Sequence, residues 1–543
     1  MENAQNIQSD VILAAGSGRV SERSWLSYLP AILVILGSLA MLLLRINIGA
    51  NFISDGALMM LALACYILAA LFELTNLYAP SEMAGKIGFW GAALGVFFNL
   101  SSWLVRWVGA YEHEIGQMRA AGNDATPWVF RYIPFANLYD LSLAFAFGAG
   151  FATLMFARRE KFRVLAAFSL PLAALILTLA RFIGNEFVDL PPVLDSYWRP
   201  IHVGVASLSY GIALVCFAVA VMYLLKDRVK VEAMAIWASL FGIGVIATIS
   251  KFSVLSAGVY RAGLFLPNVG ARKPFSAPFR LELPYVGPSL IAAALLLAGV
   301  AACFTIYIYR NDEKLRKLGH VLLKLALVAQ IAAVAFFVYG VKSGADVYQR
   351  LQAQLVAEPS QYITAGMAIA EGQQMSAQEY SAITASQFEQ AGRSYVQANG
   401  DKLFLSLNTS PVEFAALLTA LFATLFMILF AFRTDRLRER LPSLDSLDGL
   451  MYKTACLAFA GLAMLLVTGA VWANESWGRP WGFDSKETGA LIAWLTYAAF
   501  LHTRISRGWK GRSSAYFAII GFLLVIFTYL GVSYLLPGLH SYA

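Results

Sequence analysis

The sequence predicts an all-α, polytopic membrane protein with about thirteen transmembrane helices, its N-terminus inside and its C-terminus outside. Hydrophobic residues make up 59% of the 543 residues, and charged residues only 14%. Long apolar stretches follow one another along the chain, each close to the roughly 20 residues that a helix needs to cross a bilayer. Because a bilayer offers no water to unpaired backbone groups, these stretches are expected to be helices.

The elements follow in a simple order. The start of the chain is polar and precedes no small-residue cleavage site, so we expect a cytoplasmic tail and a first span that is retained. The predicted spans are 29–46, 57–78, 88–108, 137–157, 162–182, 202–225, 233–256, 288–309, 320–341, 412–432, 453–472, 488–503 and 513–536.

Clusters of Lys and Arg occupy every second loop, which indicates the cytoplasmic face. The segments then placed on the outer face are 183–201, 257–287, 342–411, 473–487 and the C-terminal tail. Segment 257–287 is the exception to the charge pattern, because it carries four basic residues and still falls outside by counting. Segment 342–411 is the long polar stretch and predicts a helical module on the outer face, as a spacer or as a docking surface.

Composition and motifs exclude several classes of protein. The formal net charge is +8, but the positive residues cluster in short loops, so we expect no nucleic-acid partner. The four cysteines lie in apolar runs without a CxxC pair, which indicates packing and not thiol chemistry. The chain has no CxxCH motif, so it is not itself a c-type cytochrome, and it has no P-loop motif.

Histidines and aromatic residues on the predicted outer face form the candidate site. His202 and His540 both fall there, as does a short loop that holds Trp477, Trp481 and Phe483. Two neutral imidazoles facing one cavity suit a six-coordinate heme iron, and aromatic rings can stack on a porphyrin. An interfacial aromatic belt with two surface histidines explains the same composition. The residues alone leave both interpretations open.

The segment WGRPWGFDSKET, residues 477–488, resembles the tryptophan-rich WWD signature WGxxWxWDxKET of heme-handling proteins for cytochrome c biogenesis. TGAVWAN before it, LHTR after it and the ending FTYLGVSYLLPGLHSYA resemble the CcsA (ResC) type of the two-component System II synthase. Weaker likeness extends upstream through SYWRPIHVGVASLSYG and IPFANLYDLS as far as residue 57. Phe483, Ser485 and Gly489 depart from the family pattern, which has tryptophan, proline and often tryptophan there.

The resemblance implies a carrier of heme b. Its outer axial iron ligands would correspond to His202 and His540, and His502 to a membrane-embedded iron ligand on the entry route. A cation such as Arg479 could pair with a heme propionate. The loop residues expected to contact the heme are Trp477, Arg479, Trp481, Phe483 and Asp484.

The resemblance also implies partners and a location. These are a CcsB (ResB)-like membrane subunit and an apocytochrome c with a CxxCH motif, in a bacterial inner membrane, with the heme site facing the periplasm or exterior. The chain would be the heme-presenting subunit of a cytochrome c synthase, or heme lyase, and whether it is an enzyme by itself stays open. His113 is expected to be a solvated loop residue. His320 is expected to lie at headgroup level, although it could partner His502.

On this basis the chain divides into four parts. Residues 1–56 hold the tail and an extra transmembrane helix, and 57–228 form a CcsA-like N-terminal membrane part. Residues 229–435 are an insertion of four spans with the module 342–411, and 436–543 form a CcsA-like C-terminal part with the WWD-like loop.

Other functions remain as alternatives. A b-type electron-transfer cytochrome would need facing histidine pairs within spans. A secondary transporter would need ionisable groups near the middle of the bilayer, and the predicted spans offer few. A CcmC-type or CcmF-type heme handler of the same superfamily is the third alternative.

Overall fold

The computed structural model describes the chain except for residues 1–24, 50, 51, 121, 125, 184–186, 188–191, 250–254, 256, 267–274, 344–346, 374, 407–410, 432, 433 and 533–543. Most described residues are helical. The helices are α1 Leu29–Ile48, α2 Asp55–Tyr78, α3 Glu82–Ala120, α4 Leu138–Ala157, α5 Ala166–Ile183, α6 Trp198–Lys226, α7 Val231–Ile249, α8 Val286–Arg310, α9 Glu313–Ser343, α10 Val347–Ala357, α11 Ser360–Gly372, α12 Ala377–Ala382, α13 Ala385–Ala398, α14 Pro411–Ala431, α15 Thr434–Arg440, α16 Leu444–Trp477, α17 Ser485–Arg507 and α18 Arg512–Ile526. The strands are β1 Val259–Leu266, β2 Phe275–Glu282 and β3 Phe404–Ser406.

The described residues confirm a helical, multi-pass membrane protein. Among them, 11 helices are long and apolar enough to cross a membrane, or up to 12 if the broken pair Ala416–Leu429 and Thr434–Arg440 forms one span. The predicted span 488–503 forms α17, which at about 35 Å is long enough to cross. Charged residues at both of its ends reduce its hydropathy, and it is not among the 11. The count of thirteen and the orientation of the termini therefore stay predictions.

The chain divides into two compact units. The first consists of Met1–Leu177, Asn185–Asp227 and Arg436–Ala543. In this unit α6 packs against α4, α16 and α18. A Cβ atom added to Gly211 of α6 would lie 2.4 Å from the backbone nitrogen of Ala149 in α4. Small residues of this kind let membrane helices approach closely, and here the contact fixes the spacing of α4 and α6.

The second unit consists of Thr178–Gly184 and Arg228–Asp435. In it α8 packs against α7 and α9, and α14 packs against the same two helices. The shorter helices α11 and α13 cross at two glycines, because a Cβ atom on Gly366 would lie 1.9 Å from the carbonyl oxygen of Phe388.

A three-stranded antiparallel sheet adds to the helices of the second unit. Strand β1 lies between β2 and β3, with Gly263 opposite Ser406. No strand is predicted from the sequence, although Tyr260, Ala262 and Leu264 of β1 are buried and Arg261 between them is exposed. That alternation is the two-residue period of a half-buried strand. The segment that forms β1 is predicted as a loop. Its partner strand β3 lies about 140 residues further along the chain.

Candidate functional site

One cavity in the first unit lies where the starts of α4, α6 and α17 meet the ends of α16 and α18. Aromatic and small apolar side chains line most of it. Its polar and aromatic lining residues include Arg199, His202, Trp472, Trp477, Trp481 and Lys486. Tyr529 also lines it from a π-helical turn, Phe527–Gly531, a local irregularity that is frequent at functional sites. An apolar cavity with a few convergent polar groups is typical of a small-molecule site.

His202, in the second turn of α6, has a fixed orientation and tautomer. Its Nδ1 lies 3.0 Å from the carbonyl oxygen of Leu465 in α16. Because a carbonyl oxygen can only accept, Nδ1 carries the proton and Nε2 carries the lone pair of the neutral ring. A Cβ atom on Gly469 of α16 would lie 2.7 Å from His202 Cε1. Because glycine has no side chain, the imidazole ring can pack closely against α16 at this position. This is how proteins prepare an imidazole to bind a metal.

Trp472 is the aromatic neighbour of His202 in the cavity. Their ring centroids are 5.6 Å apart and the rings are tilted by 45°. Trp472 is only 7% exposed, and its indole Nε1 has no hydrogen-bond partner in the described part of the chain. A buried N–H without a partner costs about 1–3 kcal/mol. The position therefore favours an acceptor that a ligand or a water brings.

The loop between α16 and α17 is fixed by its own hydrogen bonds. Gly478 ends α16 in the left-handed conformation at φ +69°, which glycine adopts readily. Asp484 is the N-cap of α17 in a capping box with Glu487. Glu487 also accepts a hydrogen bond of 2.9 Å from the backbone N–H of Gly482. The acidic residues of the predicted motif thus have a structural role in holding the loop.

Only some of the predicted loop residues line the cavity. Trp477 and Trp481 line it, whereas Arg479, Phe483 and Asp484 are absent from its lining. Phe483 is 79% exposed and has φ +53°, and its ring meets that of Trp481 edge-on at 6.1 Å. Their proposed contacts with heme stay predictions.

Gly489, where the resembling family often has tryptophan, is enclosed. A Cβ atom there would lie 2.7 Å from Thr528 Oγ1 in the π-helical turn. A larger side chain cannot fit without moving that turn, so the departure from the family pattern matches the local packing.

The other predicted iron ligands lie elsewhere. His502 is exposed, with Nδ1 3.5 Å from Ser506 Oγ. It is 17 residues along α17 from the cavity end, or about 26 Å at 1.5 Å per residue. His540 lies outside the described residues. Its ligation, like that of His202 and His502, stays a prediction.

The two remaining histidines have local partners. In the second unit, His320 Nε2 lies 3.4 Å from a carboxylate oxygen of Glu232, which also accepts a 2.7 Å hydrogen bond from Arg316. In the first unit, His113 Nε2 is 3.0 Å from Gln117 and its ring stacks on Phe187.

Two basic side chains at the cavity are not among the predicted site residues. Arg199 is buried one turn before His202 and donates a 2.6 Å hydrogen bond to the carbonyl of Arg131. Lys486 follows the N-cap of α17. Both stand inside segments quoted for the family resemblance, RPIH and DSKET, so the signal was present. Sequence spacing could not tell that these cations, and not Arg479, line the cavity.

The pKa of Lys486 provides a test of the position of this side chain in the cavity. Burial lowers it from 10.5 to about 8, although Asp484 acts in the opposite direction. Between these pH values the unfolded chain binds more protons here than the folded protein, so stability rises with pH. We expect Lys486→Met to gain thermal stability over wild type at pH 7 and to lose that advantage by pH 10.5. Thermal unfolding of the heme-free protein in detergent measures the difference. A difference that does not change with pH would contradict it.

A buried ionic network supports the cavity from α4. Arg106 of α3 pairs with Asp140 in the first turn of α4 and, at 3.5 Å, with Asp55 at the start of α2. Tyr139 donates a 3.0 Å hydrogen bond to Asp55. Asp140 also accepts from the backbone N–H of Ala136 at 2.9 Å. The network thereby fixes the segment 135–141, part of which lines the cavity.

The residues present fit a heme. The cavity supplies an imidazole with its lone pair on Nε2, three indoles that can stack on a porphyrin, and two cations that can pair with carboxylates. The N–H of Trp472 can donate to a ligand oxygen. Within the described residues His202 is the only histidine of the lining, so a second iron ligand would have to come from elsewhere, as predicted for His540.

The chain matches the model of a known protein family. A family model described as "Cytochrome C assembly protein" matches residues 135–265 and 288–540. The match includes His202, His502 and His540, and most of the segment 229–435 that the motif resemblance left out. It therefore covers more than half of the chain.

Curated relatives match over shorter segments. The cytochrome c biogenesis protein CcsA of Parasynechococcus marenigrum is 52% identical over 103 residues, 19% of this chain and 34% of the relative. The CcsA protein of Prochlorococcus marinus is 55% identical over 98 residues, 18% and 31%. That of Chlamydomonas reinhardtii is 41% identical over 141 residues, 26% and 40%. The matched segments thus span 31–40% of these relatives' length.

Proposed function

Since the chain belongs to the cytochrome c assembly protein family, we propose that it is a CcsA-type member that binds heme b, carries it across the membrane and presents it for covalent attachment to apocytochrome c. The observation that supports this most is the cavity that three tryptophans line together with His202, whose tautomer is fixed. CcsA-type similarity also favours this function over a CcmC or CcmF type.

In the proposed site each side chain has a separate task. His202 Nε2 binds the iron on one side, and His540 is proposed as the ligand on the other. Trp472, Trp477 and Trp481 stack against the porphyrin and exclude water. Heme supplies the iron for ligation and the vinyl groups to which the CxxCH thiols become attached, so this chain contributes positioning more than acid–base chemistry.

We propose that Arg199 and Lys486 pair with the heme propionates, and the role predicted for Arg479 stays a prediction. Arg199 is buried, one turn from His202, and Lys486 lines the same cavity. Arg479 is exposed, and its guanidinium lies over Gly482, where an added Cβ atom would be 3.0 Å away. A carboxylate also offsets the burial that lowers the pKa of Lys486, because opposite charge favours the ammonium form.

The entry route is proposed to begin at His502, at the far end of α17, in a bacterial inner membrane. A lone imidazole binds heme iron weakly, so we propose that a CcsB (ResB)-like membrane subunit supplies the second ligand there.

Expression of the chain alone beside a reporter apocytochrome, in a host without its own assembly system, tests the need for a partner. We expect no holocytochrome without the CcsB-like subunit and its appearance when that subunit is added. Robust holocytochrome from the single chain would contradict the partner requirement.

The tryptophans are expected to contribute less than the ligands. Stacking against one ring is worth about 1 kcal/mol, or roughly fivefold in affinity. Trp481→Ala should therefore lower heme occupancy without preventing membrane insertion, and Trp477→Ala with Trp481→Ala should lower it further. Trp509→Ala is the control, because this indole lies beyond the end of α17 and packs on Phe517. Unchanged heme occupancy in the double variant would mean that the loop is an interfacial belt.

A further inference from the structure

A second cavity in the first unit lies between the end of α4 and the start of α16. Its polar lining consists of four basic residues, one acidic residue and a serine. These are Arg158, Arg159, Lys161, Lys453, Asp445 and Ser446. Apolar side chains, among them Phe156, Phe162 and Leu450, form the rest of the lining. We call it the basic cavity.

The basic cavity has an excess of positive charge. In the described part of the chain, none of its four basic residues forms an ion pair with an acidic side chain. Glu160, the nearest acid in sequence, pairs with Arg163 at 3.3 Å. Asp445 is the one acidic residue of the lining, so the basic residues exceed it by three. Like charges that converge repel one another. The arrangement therefore favours a bound anion.

Neutral contacts hold two of these cations in place. The guanidinium carbon of Arg158 lies 3.7 Å from the ring centroid of Tyr28. Lys161 Nζ donates a 3.3 Å hydrogen bond to Ser446 Oγ, in the first turn of α16. The N-terminus of α16, capped by Ser443, adds the partial positive charge of a helix dipole, which Asp445 in the first turn offsets in part. The positive groups thus come from two separate elements and face one space.

The position of the basic cavity indicates which anion it binds. Arg158 directly follows α4 and Ser446 lies in the first turn of α16, and both helices are candidate membrane spans. The cavity therefore lies at the level of a membrane surface, with basic groups beside an apolar wall. Phosphate groups of anionic lipids bind in basic pockets between transmembrane helices, and the apolar wall suits the adjoining acyl chain.

We propose that the basic cavity binds the phosphate of an anionic phospholipid, separately from the heme site. A soluble phosphate shares the same chemistry, and the apolar lining favours the lipid. The cavity is built from this chain alone, so the proposal does not depend on heme transfer.

Native mass spectrometry of the purified full-length protein tests this by titration with phosphatidylglycerol and with phosphatidylcholine of the same acyl chains. We expect phosphatidylglycerol to bind the wild type more tightly, and the variant Lys161→Gln with Lys453→Gln to bind it roughly tenfold more weakly. The control is Lys314→Gln with Lys317→Gln, which removes two exposed lysines of α9. Arg159→Gln alone serves as a second variant if the double variant does not fold.

Equal loss in the control, or equal binding of phosphatidylcholine, would overturn the proposal, because the effect would then be general surface charge. Competition by glycerol phosphate separates the two sources of phosphate. If glycerol phosphate displaces the lipid at equal concentration, the acyl chain contributes nothing and the lipid assignment is wrong. Retention of the lipid against excess glycerol phosphate supports it.

Discussion

Replacement of His202 by alanine is expected to lower heme affinity by at least roughly a hundredfold, since even the loss of a positioning partner costs about 10–100-fold at a metal site. The substitution removes the imidazole whose Nδ1 is held 3.0 Å from Leu465 O. The heme content of protein purified from cells with ample heme supply, determined after extraction, measures the loss. Added imidazole should restore part of it, because a free ligand can enter the space that the side chain leaves.

The matched control is His113→Ala. It removes an imidazole that stacks on Phe187 and contacts Gln117, outside the cavity. We expect wild-type heme content in this variant. Normal heme content in His202→Ala would remove His202 from the proposed site, whereas equal loss in both variants would indicate a general effect on folding.

Replacement of Arg106 by alanine is expected to destabilise the protein by about 3–5 kcal/mol, the cost of leaving a buried charge without its partner. The side chain is 2% exposed and pairs with Asp140 and Asp55. Both carboxylates would lose the guanidinium that pairs with them inside the helix bundle, and each would keep one hydrogen bond, Asp55 from Tyr139 and Asp140 from the Ala136 N–H. Thermal unfolding in detergent, with the fraction of monodisperse protein, measures the effect.

Arg119→Ala, an exposed arginine near the end of the same helix α3, is the matched control and should change stability little. Arg106→Ala should also reduce heme binding, since Asp140 holds the backbone of Ala136 at the cavity wall. A fully stable Arg106→Ala protein would contradict the structural role assigned to this network.

Much of the fold could be predicted because the bilayer imposes a strong rule on the sequence. Apolar length alone predicts spans such as α1 and α8, whose described helices extend the predicted 29–46 and 288–309 by only a few residues. The sheet could not be predicted in this way, because β1 and β3 pair across a separation of about 140 residues. No local pattern records that contact.

The candidate site likewise contains residues that the sequence could indicate and contacts that it could not. The aromatic loop and His202 stand in recognisable motifs, so the sequence could indicate them. The hydrogen bond that fixes the tautomer of His202 comes from Leu465 on another helix, 263 residues away. Arg199 lines the cavity and Arg479 does not. This difference depends on how α6 and the loop between α16 and α17 fold. Residue type therefore predicts a kind of site, and packing decides which cations line the cavity.

The absorption spectrum of the purified protein, compared among wild type, His202→Ala and His540→Ala, tests the central claim most directly. The proposal of a site shared by two imidazoles predicts a six-coordinate, low-spin heme spectrum in wild type that is lost in each variant and partly restored by imidazole. Wild-type protein without heme under ample supply, or a low-spin spectrum that survives both substitutions, would contradict it.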